Sequence, residues 1–151
     1  MGLQLSTRGR YGMRALCRLA QNYGGAPISI QSLSDEDGIP MRYLEQIMGR
    51  LRREGLVNSI RGPKGGYWLD IPPAEIKLGH ALRTLEGSIS LVWCVDEKED
   101  CPHKGSCPTA HFWCAMNDGI QAFLDATSLA QLVDGGWADR RVRFLVEPKG
   151  A

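Results

Sequence analysis

The sequence lacks any run of 18 consecutive apolar residues, so no membrane-spanning helix is predicted. Its first residues, MGLQLSTRGRYGMRAL, also lack the apolar core of a secretory signal peptide and carry arginines instead. These absences predict a cytoplasmic protein with no membrane partner, in which thiols stay reduced. The sequence shows no nucleophile and base in a pattern typical of an active site, so we do not expect an enzyme.

Net charge is also small, at +1 over the whole chain, but it is unevenly distributed. Residues 1–70 carry ten Lys or Arg and six Asp or Glu, a net of +4, whereas residues 71–151 carry eight and eleven, a net of −3. A basic front half suits contact with DNA. Because Pro72 and Pro73 mark a boundary, we predict a DNA-binding domain over 1–72 and a cofactor and dimerisation region over 73–151.

In the front half, apolar residues recur at three- and four-residue intervals, which predicts three helices. The first covers about 6–23. The second follows the N-cap Ser29 and continues to about Asp37, after which Gly38 supplies a turn. The third opens at Pro40, in the first turn, where a missing N–H is harmless. Two such helices joined by a tight glycine turn predict a helix-turn-helix.

Two short apolar stretches then flank RGPKGG, which predicts a β-hairpin whose tip carries Arg61 and Lys64. A helix-turn-helix followed by a basic hairpin is typical of a winged helix, and the alternative is a hairpin that only caps a helical domain. The expected fold is mainly α: a winged helix-turn-helix head with a small β-hairpin wing and a long C-terminal dimerisation helix.

The back half is predicted to form a fourth helix over about 74–86, a loop over 87–106, a long helix from near Cys107 and a capped helical turn from Thr127. A persistent apolar stripe on the long helix fits packing against a partner helix, which indicates a homodimer; the alternative is packing on its own head. The stripe consists of Phe112, Ala115, Met116, Gly119, Ile120, Phe123 and Leu124. Whether the tail after Gly135 is ordered is left open.

Four of the five cysteines lie within residues 94–114, and the first three, Cys94, Cys101 and Cys107, have the spacing C-x6-C-x5-C. Thiolates this dense in a chain without a secretory signal indicate a metal or an iron–sulfur cluster rather than a disulfide framework. Three Cys and a His could also hold zinc, although the paired C-x2-C of structural zinc sites is missing. Reactive thiols without metal are the third interpretation.

Four segments together resemble the Rrf-two family of bacterial winged-helix regulators, the IscR and NsrR group. They are LSTRGRYGMRAL, IPMRYLEQIMGRLRREGLV, IRGPKGGYWL and the C-x6-C-x5-C loop, and the resemblance covers residues 3 to about 134. It implies a dimer formed through the long C-terminal helix. It also implies an iron–sulfur cluster, two-iron or four-iron, held by the three loop cysteines.

The resemblance further implies which residues contact DNA. It places Arg42, Glu45 and Gln46 of the third helix toward base edges in the major groove, where Gln can read adenine and Glu can accept from cytosine. It places Arg61 of the wing in a narrow minor groove, where the negative potential attracts a guanidinium group. Two-fold symmetry of the dimer would match a palindromic operator.

The fourth ligand departs from the family pattern. The family's ligand histidine, three residues after the third cysteine, corresponds here to Ala110, and its alternative, an aspartate of the partner's first helix, corresponds to Arg10. If the long helix begins near Cys107, His111 lies about 6 Å further along the axis and Cys114 about 10 Å. We therefore predict His111 as the fourth ligand and interpret Cys114 as a core thiol. The alternatives are a ligand from the partner subunit and a small exogenous molecule.

These observations predict a homodimeric transcription regulator whose operator binding is controlled by an iron–sulfur cluster. One alternative is a cluster-free DNA-binding regulator that responds through its thiols or through zinc. The other is a small redox or metal-transfer protein, which would need neither a basic wing nor a palindrome-matched dimer.

Overall fold

The computed structural model describes residues 5–96 and 100–136, and in these ranges the chain is mostly helical with one small hairpin. No helix in this part of the chain is long and apolar enough to cross a membrane. The elements are α1 (Thr7–Gln21), α2 (Ile30–Asp37), α3 (Met41–Arg53), β1 (Val57–Ile60), β2 (Gly66–Leu69), α4 (Leu78–Glu86), α5 (Ala110–Ala126) and α6 (Leu129–Asp134).

Local capping signals set the ends of the helix-turn-helix. The Ser29 hydroxyl accepts a hydrogen bond from the Ser32 N–H at 3.0 Å and so caps α2. Gly38 ends that helix in the left-handed conformation, at φ 63°. Pro40 immediately precedes α3 as its N-cap instead of lying in its first turn. The predicted pair of helices joined at a glycine is confirmed.

The hairpin forms the predicted wing. Strands β1 and β2 are antiparallel, with Val57 opposite Leu69 and Ile60 opposite Gly66. The Ile28 backbone adds a bridge to β2, because its N–H donates to the Tyr67 carbonyl at 2.9 Å and its carbonyl accepts from the Tyr67 N–H at 2.8 Å. A Cβ on Gly66 would collide with the Ile28 carbonyl, so this close approach requires glycine. The bridge fixes the wing to the segment that leads into α2.

One apolar core joins the elements on both sides of Pro72. Besides the buried faces of the three head helices, it contains residues that follow the proposed boundary, namely Ile76, Leu78, Ala81, Leu85 and Leu129. The division of the chain at residue 72 stays a prediction. What the packing shows is that α4 and α6 share the core of the head.

Helix α4 begins later than predicted, at Leu78 instead of about residue 74. The preceding backbone pairs with a distant segment, because the Ile76 carbonyl accepts from the Leu129 N–H at 2.8 Å and the Leu78 N–H donates to the Thr127 carbonyl at 2.9 Å. These long-range bonds compete with helical ones. They also position α6, whose predicted cap is confirmed as a reciprocal capping box between Ser128 and Gln131.

Helix α5 also begins later than predicted, at Ala110 rather than near Cys107. The Cys107 N–H donates to the His103 carbonyl at 2.8 Å, so Cys107 closes a turn of the loop and precedes the helix. Thr109 is the N-cap, and Pro108 does not occupy the first helical position. The tail residues Arg140, Arg141 and Arg143 lie outside the described residues.

Candidate DNA-binding surface and thiol cavity

The predicted base-reading residues occupy the exposed face of α3. Arg42, Glu45 and Gln46 are all exposed. The opposite face of the same helix is buried in the core through Leu44, Ile47, Met48 and Leu51. Tyr43 additionally makes an edge-on contact with Tyr11 of α1, with ring centroids 6.1 Å apart. The helix is therefore anchored on one side, and its polar side is open to a ligand as large as DNA.

A cleft of about 490 Å³ lies between α3 and the wing. Glu45 and Arg52 line it from α3, and Arg61 lines it from the wing. The Arg52 guanidinium donates to the Ser59 hydroxyl at 3.0 Å, which joins the helix to β1. Arg42, Gln46 and Lys64 do not line this cleft, although Lys64 is exposed at the wing tip.

Arg52 is a residue of this surface that the sequence reasoning missed. It stands seven residues after Glu45, so the helical period puts both on one face. That spacing could have identified it within the run of arginines that ends α3. Because Arg52 lies on α3 and donates to Ser59 of β1, it is a candidate for orienting the wing relative to α3.

The three predicted cluster ligands meet at a second cavity of about 120 Å³. Cys94, Cys101 and Cys107 line it together with Cys114. His111, predicted as the fourth ligand, is exposed and is not among the lining residues. All five cysteines of the chain are free thiols. The sequence predicted that Cys114 is a core thiol. In the fold it is exposed and lines the same cavity as the three candidate ligands.

The cavity is built by a loop folded against one face of α5. Cys94 lies in a short 3₁₀ turn over Trp93–Val95. The Cys101 carbonyl accepts from the Lys104 N–H at 3.1 Å, which closes the next turn. The loop is attached to α5 where the Asn117 side-chain carbonyl accepts from the Leu91 N–H at 3.2 Å. These bonds hold thiols from three parts of the sequence around a common space.

The environments of two thiols differ in ways that change their acidity. The pKa of Cys107 lies below the usual value of a thiol, because the hydroxyl and the backbone N–H of Thr109 donate to its sulfur. The pKa of Cys17, on α1, is raised by burial and, to a smaller extent, by the nearby Asp37 carboxylate. Cys107 is thus favoured as a thiolate ligand, whereas Cys17 has the character of a core residue.

Four cysteines line the cavity, and thiolates are ligands both of zinc and of iron–sulfur clusters. Within residues 5–96 and 100–136, no three His, Cys, Asp or Glu side chains converge closely enough to hold one metal ion. Zinc requires its ligands at about 2.0–2.3 Å from one atom. An iron–sulfur cluster spreads its thiolate ligands over several irons, so they surround a space.

Comparison with known proteins gives a family match over most of the chain. Residues 5–135 match the Rrf2 family model, which is described as "Iron-dependent Transcriptional regulator". The chain is 36% identical over 130 residues to the transcriptional regulator CymR of Bacillus subtilis, covering 86% of this chain and 89% of that protein. It is 35% identical over 131 residues to the regulator IscR of Aliivibrio salmonicida, covering 87% and 77%.

Solved structures show the same fold. The structure of B. subtilis CymR, called there the global cysteine regulator, matches with a TM-score of 0.73 and 38% identity over 88% of this chain and 98% of that one. The structure of T. potens IscR matches with a TM-score of 0.71 and 36% identity over 93% of both chains. Both neighbours are winged-helix regulators, which confirms the predicted fold class.

Proposed function

Because this chain belongs to the Rrf2 family of transcriptional regulators, we propose that it is a homodimeric regulator that binds a palindromic operator under the control of an iron–sulfur cluster. The observation that carries the cluster is the meeting of Cys94, Cys101 and Cys107 at one cavity. Bound there, a cluster would supply a group that oxidants damage and iron shortage withholds. A regulator whose DNA binding never changes would need no cluster of this kind.

The DNA-binding part of the proposal rests on the two exposed basic elements. Arg42 and Gln46 on α3 and Arg61 on the wing are exposed on a scaffold whose opposite side is buried. We assign α3 to the major groove, with Gln46 and Glu45 at base edges. Arg61 would enter the minor groove, and Lys64 would contact phosphate.

The dimer rests on the unburied state of α5. This helix has 17 residues and buries none of them within its own chain. Phe112 is 57% exposed and Met116 is 40% exposed, and these large apolar side chains are one helical turn apart. In a dimer with two-fold symmetry, the same surface of each subunit meets its copy. The α5 helices of the two subunits would therefore cover each other's exposed apolar side chains.

Binding of the cluster and dimerisation would affect the same helix. Cys107 lies just before the first turn of α5 and the cavity reaches that turn through Ala110. A group bound to Cys107 would therefore fix the start of α5 relative to the loop. We propose that loss of the cluster changes the geometry of the dimer and so its DNA affinity, while the head stays folded.

Two measurements on anaerobically purified protein test this function. The visible absorption of the wild type should show a band from thiolate-to-iron charge transfer, together with iron and acid-labile sulfide. Footprinting on genomic fragments should show a protected site with two-fold symmetry over roughly two helical turns. Equal binding to random and genomic DNA at moderate salt would contradict the operator, and colourless, iron-free protein after anaerobic reconstitution would contradict the cluster.

A thiol-responsive regulator without a cluster is the second candidate. The observation that favours it is the low pKa of Cys107, since thiolates are the reactive form of cysteine. A structure of Staphylococcus aureus CymR, 36% identical over 87% of this chain with a TM-score of 0.71, is described as an oxidised form. This candidate predicts DNA binding that changes with thiol oxidation in protein that contains no iron.

A further inference from the structure

We infer that Cys114 is the fourth protein ligand of the cluster, so that the site is built entirely from thiolates of one protomer. This inference rests on the proposed function, since it assigns a ligand to the cluster proposed there. It replaces His111 in that role. It also removes the need for a ligand from the partner subunit or from a small exogenous molecule.

The first argument is position. Cys114 lines the same cavity as the three loop cysteines, and so does Ala110, one helical turn before it. Because α5 begins at Ala110 and not at Cys107, Cys114 lies in the first two turns of the helix. Cys107 then lies in the loop before the helix. The separation of almost two helical turns that was expected between Cys107 and Cys114 therefore does not apply.

The second argument is the orientation of α5. Ala110, Cys114, Asn117 and Gln121 follow one another at intervals of four, three and four, so they share a face of the helix. That face is attached to the loop, because the Asn117 side chain accepts from the Leu91 N–H at 3.2 Å and the Gln121 side chain donates to the Ile89 carbonyl. The same contacts therefore direct the Cys114 position toward the loop cysteines.

The third argument is charge. Four thiolates around a cluster leave a net negative charge, which is costly in a partly enclosed site unless a cation lies nearby. Lys104 lines the cavity and supplies that cation, while the Asp96 carboxylate, which also lines it, adds one negative charge. The place of Lys104 among the lining residues follows from the turn in which its N–H donates to the Cys101 carbonyl at 3.1 Å. Four cysteines are also the ligand set that iron–sulfur clusters most commonly use.

The test compares three single substitutions in the full-length protein after anaerobic reconstitution with iron and sulfide. Cys114→Ala removes the inferred ligand, His111→Ala removes the rival, and Cys17→Ala makes the same chemical change away from the cavity. We expect Cys114→Ala to alter the visible spectrum and to release iron to a chelator at least about tenfold faster, since loss of a residue that only supports a ligand already costs about 10–100-fold in metal affinity. His111→Ala and Cys17→Ala should match the wild type.

A second readout follows the thiol itself. Cys114 is exposed on α5, so iodoacetamide should alkylate it in protein without a cluster. In the reconstituted wild type, mass spectrometry should find Cys114 protected together with Cys94, Cys101 and Cys107. Because Cys114 is not buried, the circular dichroism and melting temperature of the iron-free Cys114→Ala variant should equal those of the iron-free wild type, which excludes misfolding as the cause of a lost cluster.

The outcomes separate this ligand from the cluster itself. A wild-type cluster that survives Cys114→Ala unchanged and is lost in His111→Ala would overturn the ligand and leave the proposed function standing. The same holds if Cys114 is alkylated equally with and without the cluster. A wild type that takes up no iron would overturn the proposed cluster and this ligand with it.

Discussion

Helices α3 and α5 both carry an apolar stripe, but only the stripe of α3 is fully buried within the chain. On α5, Leu124 packs against the core, whereas Phe112 and Met116 are exposed. Of the 13 residues of α3, Leu44, Ile47, Met48 and Leu51 are buried, whereas none of the 17 residues of α5 is. Periodicity alone does not separate the two cases. The difference shows that α3 is stabilised by its own head, while α5 still has apolar surface to bury.

The comparison has an energetic meaning. Burying a large apolar side chain contributes about 1.5–3 kcal/mol, so the buried stripe of α3 is a main source of stability for the head. Phe112 and Met116 on α5 supply little of this until something covers them. The part of the chain that carries Cys94, Cys101, Cys107 and Cys114 is therefore the part whose packing can respond to a ligand or a partner.

The largest expected effect is on the side of the head. Leu44→Ala should lower the free energy of unfolding by about 2–5 kcal/mol, because it leaves a cavity at a fully buried position. Urea denaturation of the iron-free protein measures it. Arg50→Ala, on the exposed face of the same helix, should change that free energy by less than about 0.5 kcal/mol. Equal losses for the two variants would mean that α3 is not the anchored helix.

The next effect is on the side of α5. Phe112→Glu should weaken self-association at least about tenfold, since it places a charge where the proposed interface buries an apolar ring. Sedimentation at several protein concentrations measures it. Asp118→Ala, on a different face of α5, is the matched control and should leave the association unchanged. If Phe112→Glu does not alter the association either, α5 is not the interface and the contrast with α3 needs another cause.

DNA binding should respond in different ways to single changes on α3 and on the wing. Gln46→Ala should cost about 1–3 kcal/mol at particular base pairs of the operator and leave binding to random DNA almost unchanged. Lys64→Ala should weaken binding to both and reduce the slope of affinity against salt by about one unit. Competition binding with substituted operators distinguishes them. A uniform loss in Gln46→Ala would reassign Gln46 to the phosphate backbone.

Where the sequence signal was local, it predicted the structure. Ser29 and Gly38 mark the two ends of α2, as expected. The capped turn predicted from Thr127 is α6, and the structure assigns its cap to Ser128 and Gln131. Each of these signals acts within four residues of its own position, so a linear reading contains the needed information. The apolar stripe of α3 likewise identified the buried face correctly.

Where the competing bond was distant, the prediction was wrong. The start of α4 is displaced by backbone pairing of Ile76 and Leu78 with residues 127–129, about fifty positions along the chain. The start of α5 is displaced because Cys107 closes a turn with His103. The wrong start of α5 also favoured His111 over Cys114. The distances to these two residues were taken along a helix that begins at Cys107, whereas α5 begins at Ala110. The ligand assignment therefore depended on a boundary that the sequence did not determine.

The smallest expected effect compares the thiols of the two regions in iron-free protein. Cys107 has a lowered pKa because Thr109 donates to its sulfur, whereas burial and the Asp37 carboxylate raise the pKa of Cys17. A lower pKa means more thiolate at a given pH, so iodoacetamide should alkylate Cys107 before Cys17. As pH rises, the alkylation rate of Cys107 should level off at a lower pH than that of Cys17.

Two substitutions separate these causes. Thr109→Val keeps the shape of the side chain and removes the hydroxyl donor but not the backbone N–H, so it should raise the pKa of Cys107 and slow its alkylation. Asp37→Asn removes a negative charge near Cys17, so it should lower the pKa of Cys17 and speed its alkylation. In urea the local environments are lost, and the two thiols should react at similar rates in every variant. Equal alkylation rates of Cys17 and Cys107 in the folded wild type would contradict this prediction. They would mean that burial in the head does not suppress the thiolate form of Cys17.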